Sequence, residues 1–387
     1  MKIINKINAD IFEFPASKKL LLMLIFSVGI YLTKNIYLLT STLIFLLITF
    51  QIAKISWRKL RPSLYTLITI SLLLLLLHWS NKNYALLLTF KFADLMLLGL
   101  LLYHTTPVTD LIAAVEQFLK PFAKFGINPE KVSFMLFMTF RSVTLIQQEF
   151  FSIKEAQQAR GQSKYSLTFL LPLLVKIFRQ AENIAEAVAT RITNQSLDEV
   201  KNMVFVTLMA ALTIALALVP AITLPLIPVS ITLQSIGVML AGSLLGAKRG
   251  ALSMLILLVL VALGMPVLAG FTGGIFLFFS PVGGFLLSWP LAAFIIGWLV
   301  EKCWCVLNIW ILMLINIIGG IGIIYLIGVP WMAMVAHTQI TKAIVASLLF
   351  IPGDLLKVFI ASSIAITFKR YNPLISTQTV PASLHCI

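Results

Sequence analysis

The chain has 387 residues, 60% of them hydrophobic and only 11% charged, and its mean hydropathy is +1.01. A soluble domain carries about 25% charged residues, so this balance excludes a soluble globular protein. The formal net charge of +15 would suit nucleic acid, but the basic residues concentrate before residue 201 and at the ends of apolar runs, as positive-inside topology requires, and no nucleic-acid partner is expected.

Backbone in lipid must satisfy its own hydrogen bonds, as helices or closed barrels, and the apolar runs here are continuous rather than alternating. The fold class is therefore read as an all-α integral membrane protein with about ten transmembrane helices, four and then six. The first four fall near residues 18–33, 36–53, 63–79 and 84–103. The first follows Lys18 and Lys19 as a signal peptide would, yet no small-residue cleavage site comes after it, so it reads as a retained span. An amphipathic, charged stretch over 104–203 comes next, helical in period, with Pro107, Pro121, Pro129 and Pro172 as breaks. Six more spans fall near 204–222, 234–247, 249–263, 283–300, 306–327 and 343–367. Two domains are expected, 1–199 and 200–387, with the cytoplasmic helices at 104–199 closing the first.

Lysine and arginine set the orientation. Lys2, Lys6, Lys18 and Lys19, then Lys54, Arg58, Lys59 and Arg61, then Lys248-Arg249, Lys302 and Lys369-Arg370 all fall on one side of a ten-span chain. The alternate loops 223–233, 264–282 and 328–341 contain no charged residue. A multi-pass membrane protein is expected, both termini cytoplasmic, with membrane lipid around it.

The chain has no Walker A sequence; the nearest approach, Gly242 to Lys248, has the wrong spacing. His78, His104, His337 and His385 are scattered, and Cys303, Cys305 and Cys386 match no zinc pattern. No catalytic residue, metal site or cofactor is expected. Any ATP-driven motor belongs to separate subunits.

In the amphipathic region, Thr105-Thr106-Pro107 precedes a helix at 108–120, Phe140-Arg141 lies on a later helix, and Ala159-Arg160-Gly161 follows; Thr190-Arg191-Ile192 comes about 30 residues on. On residue types alone, Arg160 and Arg191 suit either carboxylates on a partner or anionic lipid. With this order and spacing, residues 15–195 resemble the transmembrane coupling subunit of energy-coupling-factor (ECF) transporters, the EcfT family. The resemblance implies that Ala159, Arg160, Gly161 and Arg191 tip coupling helices that enter grooves on two ECF-type ATPase subunits. The sequence departs from the family at Thr190 and Ile192, where the second motif has Ala and Gly, and in lacking the family's final span.

The second part carries Pro225, Pro228, Thr232 and Gln234, then Gly264-Met265-Pro266, Gly270 to Gly274, Ser280-Pro281, Gly283-Gly284, Trp289-Pro290, Gly328-Val329-Pro330-Trp331 and Ile351-Pro352-Gly353-Asp354 with Lys357. Asp354 and Lys357 are charges inside an apolar span, costly in lipid and functional by default, and at i, i+3 they share a helix face; a purely structural ion pair is the competing account. Loops with Gln234, Thr272, Gly273 and Gly274 offer uncharged polar groups and close backbone approach, suited to a small ligand with an apolar body. Gly283-Gly284 is read first as a helix-packing pair. The series over 204–368 resembles BioY, the biotin-specific component of the same transporter class, departing at Phe271-Thr272. What this implies is biotin uptake, with Asp354, Lys357, Gln234, Thr272, Gly273 and Gly274 as substrate-binding candidates and the chain itself not an enzyme. A transporter of another vitamin, a non-transporting scaffold that recruits ATPases and an intramembrane lipid enzyme are the alternatives.

Overall fold

The computed structural model describes residues 14–55, 64, 67, 68, 71, 72, 75, 82–126, 128–161, 169–190, 196–219, 232–270 and 272–371. The chain is an all-α membrane protein: the described residues form helices and one isolated β-bridge, Leu268 to Thr272. Five helices are long and apolar enough to cross a bilayer, Asn83–Thr105, Leu197–Leu218, Gly283–Lys302, Ile309–Val335 and Ile351–Lys369, with the shorter apolar helices Ile36–Ile52 and Gln234–Leu245 beside them. The span expected at 63–79 lies almost wholly outside the described residues. Leu32, Trp310, Leu326 and Met334 are each about 70% exposed, an outer surface that suits lipid and not water.

The first half opens with α1 (Ala16–Leu32) and α2 (Ile36–Ile52), which begins at Asn35, whose side chain accepts from the Tyr37 N–H at 3.0 Å. Helix α3 (Lys82–Thr105) packs on both, and Thr42 Oγ1 on α2 lies 2.6 Å from the buried carboxylate oxygen Oδ2 of Asp94. After Pro107 come the amphipathic α4 (Val108–Leu119), a 3-10 turn (Lys120–Phe125) and the long α5 (Pro129–Ala159). Asn128 caps α5 by accepting from Glu130 and Lys131 N–H groups, and Pro129 takes the first helical position, where its missing N–H has no intrahelical partner to lose. Helix α6 (Leu170–Ala189) buries Leu170, Leu173, Leu174, Ile177, Phe178, Ala181 and Ala185, one face at helical spacing.

That face meets the second half. Phe178 lies 5.3 Å from Phe205 of α7 (Leu197–Ala215) and 4.7 Å from Phe368 of the last helix, ring centre to ring centre. Lys131 of α5 pairs with Glu199 of α7. Ser196 caps α7, which packs on α5 and α6 on one side and on α8 (Gln234–Leu245) and α9 (Ala247–Ala262) on the other. The expected boundary at 199/200 thus falls inside a helix that both halves share.

The second half continues through α10 (Phe276–Phe279), α11 (Gly283–Lys302), α12 (Ile309–Ile317) and α13 (Ile324–Val335). A π-turn at Ile318–Ile323 joins α12 to α13 into one apolar rod. The span expected at 306–327 therefore runs on to Val335, with Pro330 inside the helix rather than in a loop. Helix α14 (Ile340–Leu348) is separate from α15 (Ile351–Tyr371), so the span expected at 343–367 breaks at Leu349-Phe350. Apolar surface gains little by leaving lipid, so these helices associate through close packing of small residues. Gly242 seats against Ala293 and Ile296, Gly284 against Trp331, and Gly328 against Phe285. Gly283 and Gly284 are thus packing residues here, Gly283 lying against the Phe278 carbonyl.

Candidate ligand and coupling sites

Helix α15 starts at Ile351, with Pro352 in its first turn, and Asp354 already donates its N–H to Phe350 O at 3.0 Å. This puts two charges within two turns of a helix start. Both are buried: the side chains of Lys357 and Asp354 are 7% and 12% exposed. Lys357 Nζ donates to Asp354 Oδ1 at 2.9 Å, and Tyr325 of α13 donates its hydroxyl to Asp354 Oδ2 at 2.5 Å. An ammonium has three donors, and the other two on Lys357 meet no acceptor among the described residues. The site thus presents spare buried N–H donors beside a carboxylate that retains lone pairs, complementary to a ligand with both a carbonyl and N–H groups.

Tyr325 is the residue that sequence reasoning missed. Its one signal is a phenol in the middle of an uninterrupted apolar run, and its ring also packs edge-on against Phe285 at 6.1 Å. Asn316 was missed too: fully buried, it links Ser243 on α8 at 3.3 Å to Ser362 on α15 at 3.0 Å.

Gln234 is 1% exposed, and its amide is engaged on both ends. Nε2 donates to Thr213 O at 3.3 Å and Val267 O at 3.2 Å, while Oε1 accepts from Ala269 N–H at 3.1 Å. Its position ties the loop after α9 to α7. Within that loop Thr272 is buried, donates to Ala269 O at 3.1 Å and accepts from Leu268 N–H at 3.0 Å; Gly274 donates to Val261 O at 2.7 Å. Phe271 lies outside the described residues. The structure thus gathers Gln234, Thr272, Gly273 and Gly274 in one loop cluster and Asp354, Lys357 and Tyr325 in another, and no hydrogen bond joins the two among the described residues.

A Cβ built on Gly273 would overlap the Met265 carbonyl. Backbone cannot rotate away as a flexible side chain can, so Gly273→Ala is expected to cost about 1–3 kcal/mol, the usual range for overpacking, and to lower the melting temperature measurably. Gly29→Ala, inside α1 with open space around its Cβ, is the control and should not lower the melting temperature, since alanine is the better helix former.

At the coupling end, Ala159 closes α5 and Arg160 caps it, both exposed. Gly161 has φ +79°, a left-handed cap that an L side chain would strain, and donates to Gln158 O at 3.0 Å. Arg160 therefore stands at an exposed helix end, with no ion pair among the described residues. Helix α6 lies alongside, held by a Lys176–Glu149 ion pair and by Gln180 Nε2 on Glu149 Oε1 at 3.4 Å, and ends at Thr190. Arg191 and Ile192 lie outside the described residues.

The profile of the BioY family matches residues 187–373, and that of the cobalt transport protein family CbiQ matches residues 9–202. The biotin transporter BioY of Rhizobium etli is 45% identical over 183 residues, which cover 46% of this chain and 98% of that protein. The energy-coupling factor transporter transmembrane protein BioN of the same organism is 24% identical over 190 residues, covering 48% of this chain and 93% of its own. A crystal structure of the S-component for biotin from an ECF-type ABC transporter aligns with 30% identity and a TM-score of 0.44, covering 46% of this chain and 95% of that one.

Proposed function

The chain belongs to the BioY family through residues 187–373 and carries a CbiQ-family half over residues 9–202, and from this premise we propose that it imports biotin as the fused transmembrane and substrate-binding parts of an ATP-driven ECF-type transporter. Both families are transporter components and not enzymes. The observation that carries the proposal is the joining of these two matches in one polypeptide, through a helix, α7, that packs on both halves. Biotin has a ureido ring with two N–H donors and one carbonyl, and an apolar chain. The spare donors of Lys357 suit the carbonyl, and the remaining lone pairs of Asp354 suit the N–H groups.

ATP hydrolysis is assigned to two separate ATPase subunits that receive Arg160 and Arg191. The exposed tip at Arg160 and the lack of a Walker A sequence in the chain support this assignment. The membrane is the bacterial cytoplasmic membrane, both termini inside, on the strength of the basic clusters at the ends of the spans. The domain division at about 199/200 is retained as a division of function, with α7 serving both sides.

Mass spectrometry of small molecules that copurify with the full chain, followed by competition of labelled biotin with riboflavin, thiamine and lipoate, tests the substrate. Biotin should copurify and be displaced by unlabelled biotin alone. Displacement by another vitamin would reassign the substrate, and no bound small molecule would favour a scaffold.

A further inference from the structure

The turn at 263–282 and the turn at 336–350 belong to the same end of the second half: Trp331, near the end of α13, donates to Ser280 O at 3.1 Å. Both touch α3 of the first half, at different heights. His337 meets the Tyr84 ring edge-on at 5.2 Å, and Phe276 meets Phe92 at 5.4 Å. Further along, Gly273 and Gly274 lie against Gly99, and Gly264 lies against the Gly99 carbonyl. Tyr84 and Gly99 are separated by about 22 Å along a helix that rises 1.5 Å per residue. One rim of the second half therefore lies along α3, not level with its tip. The charge pattern puts this rim at the outer face, and here it is turned toward the middle of the coupling half.

Gly99 is the point of closest approach. A Cβ there would stand 3.6 Å from Gly274 Cα, 3.8 Å from the Gly273 carbonyl and 4.0 Å from the Phe276 ring, ordinary contact distances. A methyl group fits; any larger side chain would have to enter the turn itself. That turn cannot yield cheaply, because Gly273 is already packed on the Met265 backbone and Gly274 is bonded to Val261 O at 2.7 Å.

We propose that Gly99 is a docking seat on the coupling half for the Gly273-Gly274 turn of the ligand-binding half, and that filling this seat blocks transport while leaving ligand capture intact. The part concerning the ligand rests on the biotin assignment above; the seat itself does not. Of the substrate-binding candidates, Asp354 and Lys357 lie on α15 and not on the seat, and Gly273 and Gly274 meet Gly99 only through their backbone. Gly99 is thus a positioning residue that never touches ligand.

The test uses the full chain with its ATPases and compares the parent with Gly99→Ala and Gly99→Leu. Docking is read without reference to ligand by Tyr84→Cys with His337→Cys, joined by a short bifunctional maleimide in a background lacking the three native cysteines. The Gly99→Ala protein should crosslink and take up biotin within about twofold of the parent. The Gly99→Leu protein should lose crosslinking and at least about tenfold of its uptake, while its biotin affinity by calorimetry stays within about threefold. Undiminished crosslinking in Gly99→Leu would overturn the seat. Loss of biotin affinity in step with crosslinking would overturn it as well, since Gly99 would then belong to the ligand pocket. A parent that crosslinks but does not bind biotin would sink the biotin assignment alone, and the crosslinking comparison would still decide the seat.

Discussion

Asp354→Asn is expected to weaken biotin binding at least tenfold, about 1.4 kcal/mol, and Lys357→Gln to do the same, in a protein that stays folded without ligand. The expectation follows from the hydrogen-bond count at the pair. Asp354 uses Oδ1 for Lys357 and Oδ2 for Tyr325, while Lys357 uses one of its donors and holds the others buried. An asparagine keeps the size and one accepting oxygen but replaces the second with a donor that faces the Tyr325 hydroxyl or the Lys357 ammonium. A glutamine at 357 keeps two donors but loses the charge that strengthens a hydrogen bond to a ureido carbonyl. Breaking a buried pair can also cost roughly 3–5 kcal/mol of folding stability by stranding the other charge, and a destabilised protein would mimic a lost site. Binding by calorimetry and thermal unfolding of the unliganded protein must therefore be measured together. Tyr325→Phe supplies the internal scale: it removes one hydrogen bond to a charged group, worth about 1.5–3 kcal/mol, without stranding a charge. If Asp354→Asn and Lys357→Gln both fold normally and bind biotin like the parent, the pair is structural and the ligand lies elsewhere in the bundle.

The sequence showed this pair plainly because a carboxylate and an ammonium three residues apart contrast with an apolar span. Tyr325 has less contrast, a single phenol in an apolar run, and only the fold brings its hydroxyl to Asp354. Gln234 was legible as a polar residue at a helix start, but its three hydrogen bonds go to Thr213, Val267 and Ala269. Those partners are set by how the α9 loop folds back, a tertiary fact with no local signature. The same limit appears at Pro330. Glycine, proline and the lack of charge over 328–341 read as a loop, yet α13 runs through to Val335. A prolyl break in a membrane helix is tolerated when neighbours resatisfy the backbone, and Gly328 seated on Phe285 holds α13 against α11 at that point. The helix order of the first half was legible because its apolar runs are continuous and because Pro107 and Pro129 stand at the starts of the two amphipathic helices that follow. The packing of α7 onto both halves was not, since its sequence is apolar nearly all round and periodicity does not say which neighbour each face meets.

Arg160→Ala is expected to lower ATP-dependent biotin uptake at least tenfold, about 1.4 kcal/mol of lost coupling, with biotin binding by the isolated chain unchanged. The residue stands at the exposed end of a 31-residue helix, which Gly161 closes in a left-handed conformation, a position from which a guanidinium can enter a groove on a partner. The effect should exceed that of Arg191→Ala, because Thr190 and Ile192 flank Arg191 where the first motif has Ala159 and Gly161. A lipid-anchoring role for Arg160 makes a different demand. Anionic headgroups bind an ammonium as well as a guanidinium, so Arg160→Lys would then transport like the parent. A carboxylate-lined groove reads the planar fork of arginine through two parallel hydrogen bonds that lysine cannot form. Docking therefore predicts that Arg160→Lys remains defective in uptake and in copurification of the ATPases, while its membrane insertion is normal. Full activity in Arg160→Lys would assign the arginine to the membrane surface, and full activity in the Arg160→Ala, Arg191→Ala double variant would remove both arginines from the coupling interface.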